Sequence, residues 1–251
     1  MSGRPALSLV IPCYNEENRL EPKLSEALGY FAARLETPFE VVFVDDGSTD
    51  RTREILESAR KNFSSLDVSV LGYSPNRGKG EAVKTGVLAS RGDKVLVMDA
   101  DFSIDIGEMF KFLAALDTHD AAIGTKKHLL TQTVKSQGVA RRFLGKGFTR
   151  LTNAFLGINF TDITCGLKGF RGPAGRDVFG RQRIQRWSYD AETLFLLDRL
   201  GYSSVEVPVR WHHEEESKVR TLKAVASSFG ELLAIRWNAL RGRYKSPRLT
   251  S

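Results

Sequence analysis

The chain has 251 residues, of which 41% are hydrophobic and 27% charged, a composition typical of globular proteins that excludes disordered and fibrous classes. No apolar run approaches the roughly 20 residues of a membrane-spanning helix, the N-terminus lacks a signal-peptide pattern, and Cys13 and Cys165 are too few for a disulfide framework. We therefore expect an intracellular protein, soluble or bound to a surface, with both thiols reduced.

The formal net charge of +7 arises from two segments that carry no acidic residue. One lies between Asp120 and Asp162, and the other follows Glu231. Clustered positive charge favours a polyanionic partner, which at this point could be a nucleic acid, a phosphorylated metabolite or an anionic membrane.

The first half of the chain alternates strand-like and helix-like patterns. Short apolar runs that end in polar or turn residues predict strands at Leu7–Ile11, Glu40–Val44, Val68–Leu71 and Lys94–Met98. Helical patterns follow these runs, at Glu17–Leu35, Asp50–Asn62 (with Ser48 or Thr49 as its N-cap), Gly80–Ala89 and Ile106–Leu116. The alternation predicts an α/β fold with a mostly parallel central sheet flanked by helices. In such sheets ligands bind at the carboxyl ends of the strands.

The second half is less regular. Helices are predicted at Gln137–Leu156, Asp190–Leu200 and Arg220–Leu240, and short strands within Thr161–Arg171 and Ser203–Trp211. The last helix has apolar residues at amphipathic spacing: Leu222, Val225, Phe229, Leu233, Trp237 and Leu240. We expect one domain over residues 1–218, followed at 219–251 by this helix and a basic tail. The helix either packs on the core or lies on a membrane interface.

Two acidic clusters fall at predicted strand ends. Asp99 and Asp101, two residues apart, can supply hard oxygen ligands to Mg²⁺ or Mn²⁺, although aspartates also occur in ordinary turns. The segment Asp45–Asp50 can hold a nucleobase or ribose, or serve only as a turn and a helix cap.

A glycine-bearing basic loop, Asn76–Gly80, precedes the third helix, and its amides could receive an anion. It lacks the third glycine of the dinucleotide fingerprint, and no P-loop sequence occurs, which argues against an NAD enzyme and a P-loop NTPase. Arg142, Lys146 and Arg150 recur at helical spacing and could face an anionic ligand, a membrane or nucleic acid. His212 and His213 are adjacent, and adjacent residues of a strand point to opposite faces, so they are not expected to bind the same metal ion.

Six ordered motifs resemble the family 2 glycosyltransferases of the GT-A (nucleotide-diphospho-sugar transferase) fold. They are Ser8–Glu17, Val44–Asp50, Asn76–Gly80, Asp99–Asp101, Thr161–Lys168 and Arg186–Glu192. The last two are similar to the dolichyl-phosphate glucosyl- and mannosyltransferases. Arg183 stands where processive members of the family have the glutamine of Q-x-x-R-W, which argues against a polymerising enzyme.

The resemblance implies a role for each matching position. It assigns donor binding to Pro12, Tyr14, Glu16, Asp45, Asp46, Arg77, Lys79, Asp99 and Lys218. It assigns Mg²⁺ or Mn²⁺ binding to Asp99 and Asp101, and the acceptor phosphate to Arg141, Arg142 and Lys146. Lys168, also a candidate for the acceptor phosphate, Asp162 and Asp190 are the candidate catalytic residues, with Glu192 lining the reaction centre.

The implied activity is inverting transfer of a hexose from a nucleotide-sugar, with UDP-glucose favoured, to a polyprenyl (dolichyl) phosphate. A phosphate nucleophile, with a second pKa of about 6, is already ionised near neutrality and needs no strong base, whereas a hydroxyl acceptor would need Asp162 or Asp190 as one. GDP-mannose, a soluble hydroxyl acceptor, and a non-catalytic membrane- or nucleic-acid-binding module remain alternatives.

We expect a cytoplasmic protein, peripheral at the cytoplasmic face of a membrane, that binds no nucleic acid. The similar eukaryotic enzymes usually carry an N-terminal membrane helix, which this chain lacks, so attachment is expected through its surface. The oligomeric state is left open.

Overall fold

The computed structural model describes residues 4–126, 139–211 and 221–245. Seven strands form one sheet: β1 (Leu7–Cys13), β2 (Phe39–Asp45), β3 (Asp67–Gly72), β4 (Lys94–Met98), β5 (Ala121–Thr125), β6 (Leu167–Arg171) and β7 (Ser204–Pro208). Eight helices accompany them: α1 (Glu17–Arg34), α2 (Thr52–Asn62), α3 (Lys79–Ala89), α4 (Met109–Ala115), α5 (Val139–Leu156), α6 (Gly172–Arg181), α7 (Tyr189–Leu200) and α8 (Thr221–Leu240). A short 3-10 turn, Ile106–Glu108, leads into α4.

The strand order is β3-β2-β1-β4-β6-β5-β7. All neighbouring strands pair in parallel except β6, which runs antiparallel to both β4 and β5. The predicted α/β class with a mostly parallel sheet is confirmed. Because the strand order reverses between β1 and β4, a crevice is expected outside the carboxyl ends of these two strands.

Each face of the sheet contributes to a hydrophobic core. Val10 and Val42 lie in one cluster, beneath α3, α6 and α7, while their neighbours Leu9 and Val41 lie in the other, beneath α1, α2 and α4. Successive residues of a strand point to opposite faces, so a sheet that is covered on both sides favours strands that are apolar over most of their length. This is why β1, β2 and β4 were readable as apolar runs.

The expected N-cap of α2 is wrong. The helix begins at Thr52, and the side chain of Asp50 accepts a hydrogen bond from Thr52 N at 3.0 Å. Ser48 and Thr49 instead bond to Asn15, which follows β1. The segment after β2 is therefore used to hold its neighbouring loop in place.

Helix α8 packs on the domain through one of its faces. Leu232, Ile235 and Ala239 are buried in the cluster that also holds residues of α7. Packing on the core, one of the two expectations for this helix, is therefore confirmed for that face. Among the described residues, no helix is both long enough and apolar enough to cross a bilayer.

Candidate active site

The loops that follow β1, β2 and β4 meet where the strand order reverses, outside the carboxyl ends of β1 and β4. The backbone N–H of Asn15 donates to Ser48 Oγ at 3.0 Å, and that of Glu16 donates to Thr52 Oγ1 at 2.7 Å. The carboxylate of Glu16 is paired with Arg19 at 3.1 Å. Tyr14 is 41% exposed, so its ring is available for stacking against a planar ligand. Pro12 is buried in β1, opposite Val44, and so shapes the loop from below.

Asp45 and Asp46 are both buried at the end of β2. Asp45 Oδ1 accepts a hydrogen bond from Ser48 N at 3.0 Å, within its own turn. Asp46 accepts from Asn76 Nδ2 at 2.7 Å, from Arg77 N at 2.9 Å and from Gly78 N at about 3 Å. The glycine-bearing loop thus receives an anion, as its amides suggested, but that anion is the carboxylate of Asp46.

The same loop is held from its other side by residues that precede α7. Gly78 has a φ of +111°, and a Cβ atom there would lie 2.6 Å from the carbonyl oxygen of Gln185. The N–H of Glu81 donates to that carbonyl at 3.0 Å. Arg77 points away from these contacts, with its guanidinium 4.6 Å from the centroid of the Tyr73 ring. The loop's backbone is therefore fixed, and its cationic side chains extend from a rigid base.

Lys79 and Asp99 form an ion pair, with Nζ 2.6 Å from Oδ1. Burial opposes the charge of Lys79, but the nearby Asp99, Tyr189 and Asp190 outweigh burial and hold the pKa of Lys79 well above its usual range. Gly166 packs directly on Asp99, because a Cβ at this position would lie 2.3 Å from Oδ2. The Asp99 carboxylate is thus placed between a lysine and a glycine that leaves room for it.

Lys168 and Asp190 form a second, buried ion pair. Lys168 Nζ donates to Asp190 Oδ1 at 2.6 Å and to the carbonyl oxygen of Cys165 at 2.6 Å. Lys168 lies on β6 opposite Val97 of β4, so the antiparallel strand brings its side chain beside the carboxyl end of β4.

Asp162 is fully buried and holds a turn. Oδ1 accepts from the N–H and the hydroxyl of Thr164 at 3.1 and 3.2 Å, and Oδ2 accepts from Lys126 N at 3.1 Å. Burial lowers the pKa of Lys126, but Asp162, Cys165 and Asp99 outweigh it and leave that pKa above its usual range.

Lys126 was not among the predicted site residues. It follows β5, a strand that the sequence patterns did not predict, and it is the first cation of the acid-free segment between Asp120 and Asp162. A cation directly after a strand is a candidate for the carboxyl-end site. Lys126 could be recognised as one only if β5 had been predicted. With Lys79 and Lys168, Lys126 places three ammonium groups among the carboxylates at this end of the sheet.

Glu192 connects the segment before α7 to Tyr244, which follows α8. Its Oε2 accepts from Arg183 N at 3.0 Å and from Ile184 N at 2.8 Å, and its Oε1 accepts from the hydroxyl of Tyr244. Burial raises the pKa of Glu192. These contacts hold the segment that supports Gln185 against the glycine-bearing loop.

Four predicted site residues have side chains that the structure does not describe. The backbone of Arg141, Arg142 and Lys146 lies in α5, and Lys218 falls outside the described residues. Their assigned roles remain predictions.

Asp99 and Asp101 suit a divalent cation. Mg²⁺ is commonly held by one or two carboxylates that are completed by substrate phosphates and water. Within the ranges that the structure describes, no cluster of three or more His, Cys, Asp or Glu side chains occurs that could hold a metal without such help. One oxygen of Asp101, Oδ1, accepts from Ser103 N at 2.9 Å, which fixes the turn after β4. The donor set therefore fits a cation that binds together with a diphosphate.

The arrangement of strands is that of known sugar transferases. Mannosyl-3-phosphoglycerate synthase from Rubrobacter xylanophilus superposes with a TM-score of 0.66 at 17% identity, over 98% of this chain and 78% of that one. Glucosyl-3-phosphoglycerate synthase from Mycobacterium tuberculosis, solved with Mn²⁺, UDP-glucose and glycerol 3-phosphate, gives 0.62 at 18% identity over 98% and 82%. The fold is GT-A.

Sequence similarity identifies the family. The Glycosyl transferase family 2 model matches residues 8–179. Dolichyl-phosphate beta-glucosyltransferase of Mus musculus is 34% identical over 250 residues, which cover 95% of this chain and 77% of the relative. The enzyme of the same name from Saccharomyces cerevisiae is 31% identical over 95% and 76%. This chain therefore belongs to glycosyl transferase family 2 and is a glycosyltransferase.

Proposed function

We propose that this chain transfers glucose from UDP-glucose to dolichyl phosphate or a related polyprenyl phosphate, with inversion at the anomeric carbon. The relatives described above carry the name of this activity, which supports the choice of sugar and acceptor. The chemistry of the site supports the choice of a phosphate over a hydroxyl acceptor.

The observation that carries the proposal is that both candidate bases are engaged. Asp162 accepts hydrogen bonds from Thr164 and Lys126, and Asp190 is paired with Lys168. A hydroxyl acceptor would need one of these carboxylates to remove its proton. A phosphate monoester has a second pKa of about 6 and is already a nucleophile at neutral pH.

The transfer is then one displacement. A phosphate oxygen of the acceptor forms a bond to the anomeric carbon as the bond from that carbon to the UDP oxygen breaks. Lys79, Lys126 and Lys168 favour the negative charge of both phosphate groups, and the fixed loops orient them. Asp99 and Asp101 would hold Mg²⁺ or Mn²⁺, and a cation bound there would supply positive charge to a diphosphate.

The remaining assignments belong to the same proposal. Tyr14, Asp45 and the loop bearing Arg77 line the donor side, and Lys218 is assigned to donor binding. Arg141, Arg142 and Lys146 of α5 bind the acceptor phosphate. The protein is peripheral at the cytoplasmic face of a membrane, with residues 1–218 as the catalytic domain and 219–251 as its C-terminal helix and tail.

Donor binding gives the first test. We expect calorimetric titration to show that UDP-glucose binds in the presence of Mn²⁺ or Mg²⁺ and that GDP-mannose binds at least tenfold more weakly. Asp101→Asn should abolish the metal-dependent part of binding, because a ligand oxygen is lost. Asp198→Asn, on the exposed side of α7, is the matched control and should bind like the wild type. Equal affinity for both donors, or preference for GDP-mannose, would contradict the proposed donor.

A further inference from the structure

Helix α8 has a second apolar face, which nothing in the described chain covers. Phe229, Leu233, Trp237 and Leu240 follow one another at helical spacing and form one stripe, called here the outer stripe. These side chains are 47%, 60%, 53% and 81% exposed. The buried face of the helix lies to one side of this stripe, so packing on the core leaves it free. Contiguous exposed apolar surface of this kind marks an interaction site.

A cationic pocket adjoins the end of the outer stripe. It is a cavity of about 390 Å³, lined by Arg199, Arg236, Ala239, Leu240, Arg241, Gly242 and Lys245. Four of these seven residues are cationic, and no carboxylate is among those that the structure describes there. The guanidinium of Arg241 lies 4.3 Å from the centroid of the Trp237 ring, which joins the pocket to the stripe.

We propose that the outer stripe and the cationic pocket together bind an anionic phospholipid surface. The stripe enters the interface between headgroups and acyl chains, and the pocket takes the phosphate of a headgroup. The apolar side chains match the acyl chains of such a surface, and the bordering cations match its phosphates. A second copy of this chain that docked through the same face would match it poorly, because it would bring four more cations against the same pocket. The inference extends the proposed peripheral attachment and in that respect rests on the proposed function.

Helix α8, which carries the stripe, also contacts the segment that precedes α7. The N–H of Ser188 donates to Glu231 of α8 at 2.8 Å, and the Ser188 hydroxyl donates to the carbonyl of Ser228 at 3.4 Å. Ser188 closely follows Gln185, whose carbonyl supports the glycine-bearing loop. Hydrogen bonds through Ser188 therefore link α8 to the segment that supports the glycine-bearing loop.

Vesicle co-sedimentation tests the proposal with the full chain. We expect the wild type to bind vesicles of phosphatidylcholine mixed with phosphatidylglycerol, and to bind more weakly as salt rises. Leu233→Ser with Trp237→Ser should reduce binding at least about tenfold, because the apolar insertion is lost. Arg241→Gln with Lys245→Gln should reduce it by about 10- to 30-fold and flatten the salt dependence.

Matched controls come from other surfaces of the molecule. Phe110→Ser removes an apolar side chain of α4 that is 40% exposed, and Arg60→Gln with Lys61→Gln removes two exposed cations of α2. Both controls should bind vesicles like the wild type. All variants change exposed side chains, and matching thermal unfolding verifies that they fold.

Three results would overturn the proposal. They are a wild type that does not bind anionic vesicles, stripe variants that bind as well as the wild type, and a wild-type dimer that the stripe variants dissociate, since a second copy would then cover the face. Turnover with a short, water-soluble polyprenyl phosphate separates this proposal from the proposed function. The stripe variants should retain that turnover, whereas its absence from the wild type would contradict the function and leave the vesicle result standing.

Discussion

The buried ammonium of Lys168 is balanced by the carboxylate of Asp190, 2.6 Å away, and both residues were predicted as catalytic from the sequence. The sequence could indicate these residues because they stand in recognisable motifs. It could not indicate that they neutralise one another, because that contact joins β6 to α7 across 22 positions. In the same way, Asp46 could be recognised as part of a site, but not as the anion that the neighbouring loop encloses.

Lys168→Met should destabilise the protein by about 3–5 kcal/mol, because it leaves Asp190 buried without a partner. Adding Asp190→Asn should restore more than half of this loss, since the uncompensated charge is removed. Urea unfolding measures both effects. If the cation also acts on phosphate, the double variant should fold and still have transfer activity reduced at least about 100-fold. Recovery of activity together with stability would show that Lys168 is only structural.

Glu40 makes the stability of the fold depend on pH in a defined direction. Burial alone would raise the pKa of Glu40, but hydrogen bonds from Ser8 and Arg91 outweigh burial and leave that pKa below its usual value. A carboxyl group with a lowered pKa stabilises the fold above its unfolded pKa of about 4.3, and this stabilisation is lost as the pH falls through the folded pKa.

Glu40→Gln should therefore lower the free energy of unfolding by about 1–3 kcal/mol at neutral pH, because charge-assisted hydrogen bonds are lost. The difference from the wild type should shrink below about pH 4. Denaturant titrations across this range provide the measurement. Glu54→Gln, at an exposed ion pair with Arg51, is the control and should change stability by less than about 1 kcal/mol. A deficit that does not depend on pH would refute the assigned cause.

Among the elements, those with strong periodicity were predictable and those without it were not. Strands β1 to β4 are rich in apolar residues, and the helices between them end within a few residues of the predicted positions. Strand β5 is short and contains two alanines and a glycine, residues that are uncommon in strands. Helix α6 contains three glycines and a proline, residues of low helix propensity. For α8, the apolar spacing was recognised, but a pattern alone could not determine which of two apolar faces packs on the core.

The glycine-bearing loop depends on the absence of a side chain at Gly78. Gly78→Ala should destabilise the protein by more than about 1 kcal/mol and weaken donor binding, because its Cβ would meet Gln185 O at 2.6 Å and its φ is +111°. Gly29→Ala is the matched control in the interior of α1, where an added Cβ meets nothing within 4 Å, and it should stabilise by up to about 1 kcal/mol. Thermal unfolding and donor titration test both. Donor affinity unchanged in Gly78→Ala would contradict a role for the loop in donor binding.

For the whole molecule, the α/β class, the sheet edge that carries the site and the family could all be predicted, because they depend on motifs that are local in sequence. The position of β6 could not, because an antiparallel strand between β4 and β5 is a choice of long-range pairing. That choice nevertheless places Lys168 at the site, beside the lysines contributed by α3 and the end of β5. The placement of three lysines at the site is therefore a property of the sheet order as much as of any motif.

Product analysis tests the central claim most directly. The purified full chain would be supplied with radiolabelled UDP-glucose, Mn²⁺ or Mg²⁺, and either dolichyl phosphate or dolichol in matched detergent. The account predicts a glucosylated dolichyl phosphate, no product from dolichol, and little transfer when GDP-mannose replaces UDP-glucose. Equal transfer to dolichol, transfer only to a soluble hydroxyl acceptor, or preference for GDP-mannose would contradict it.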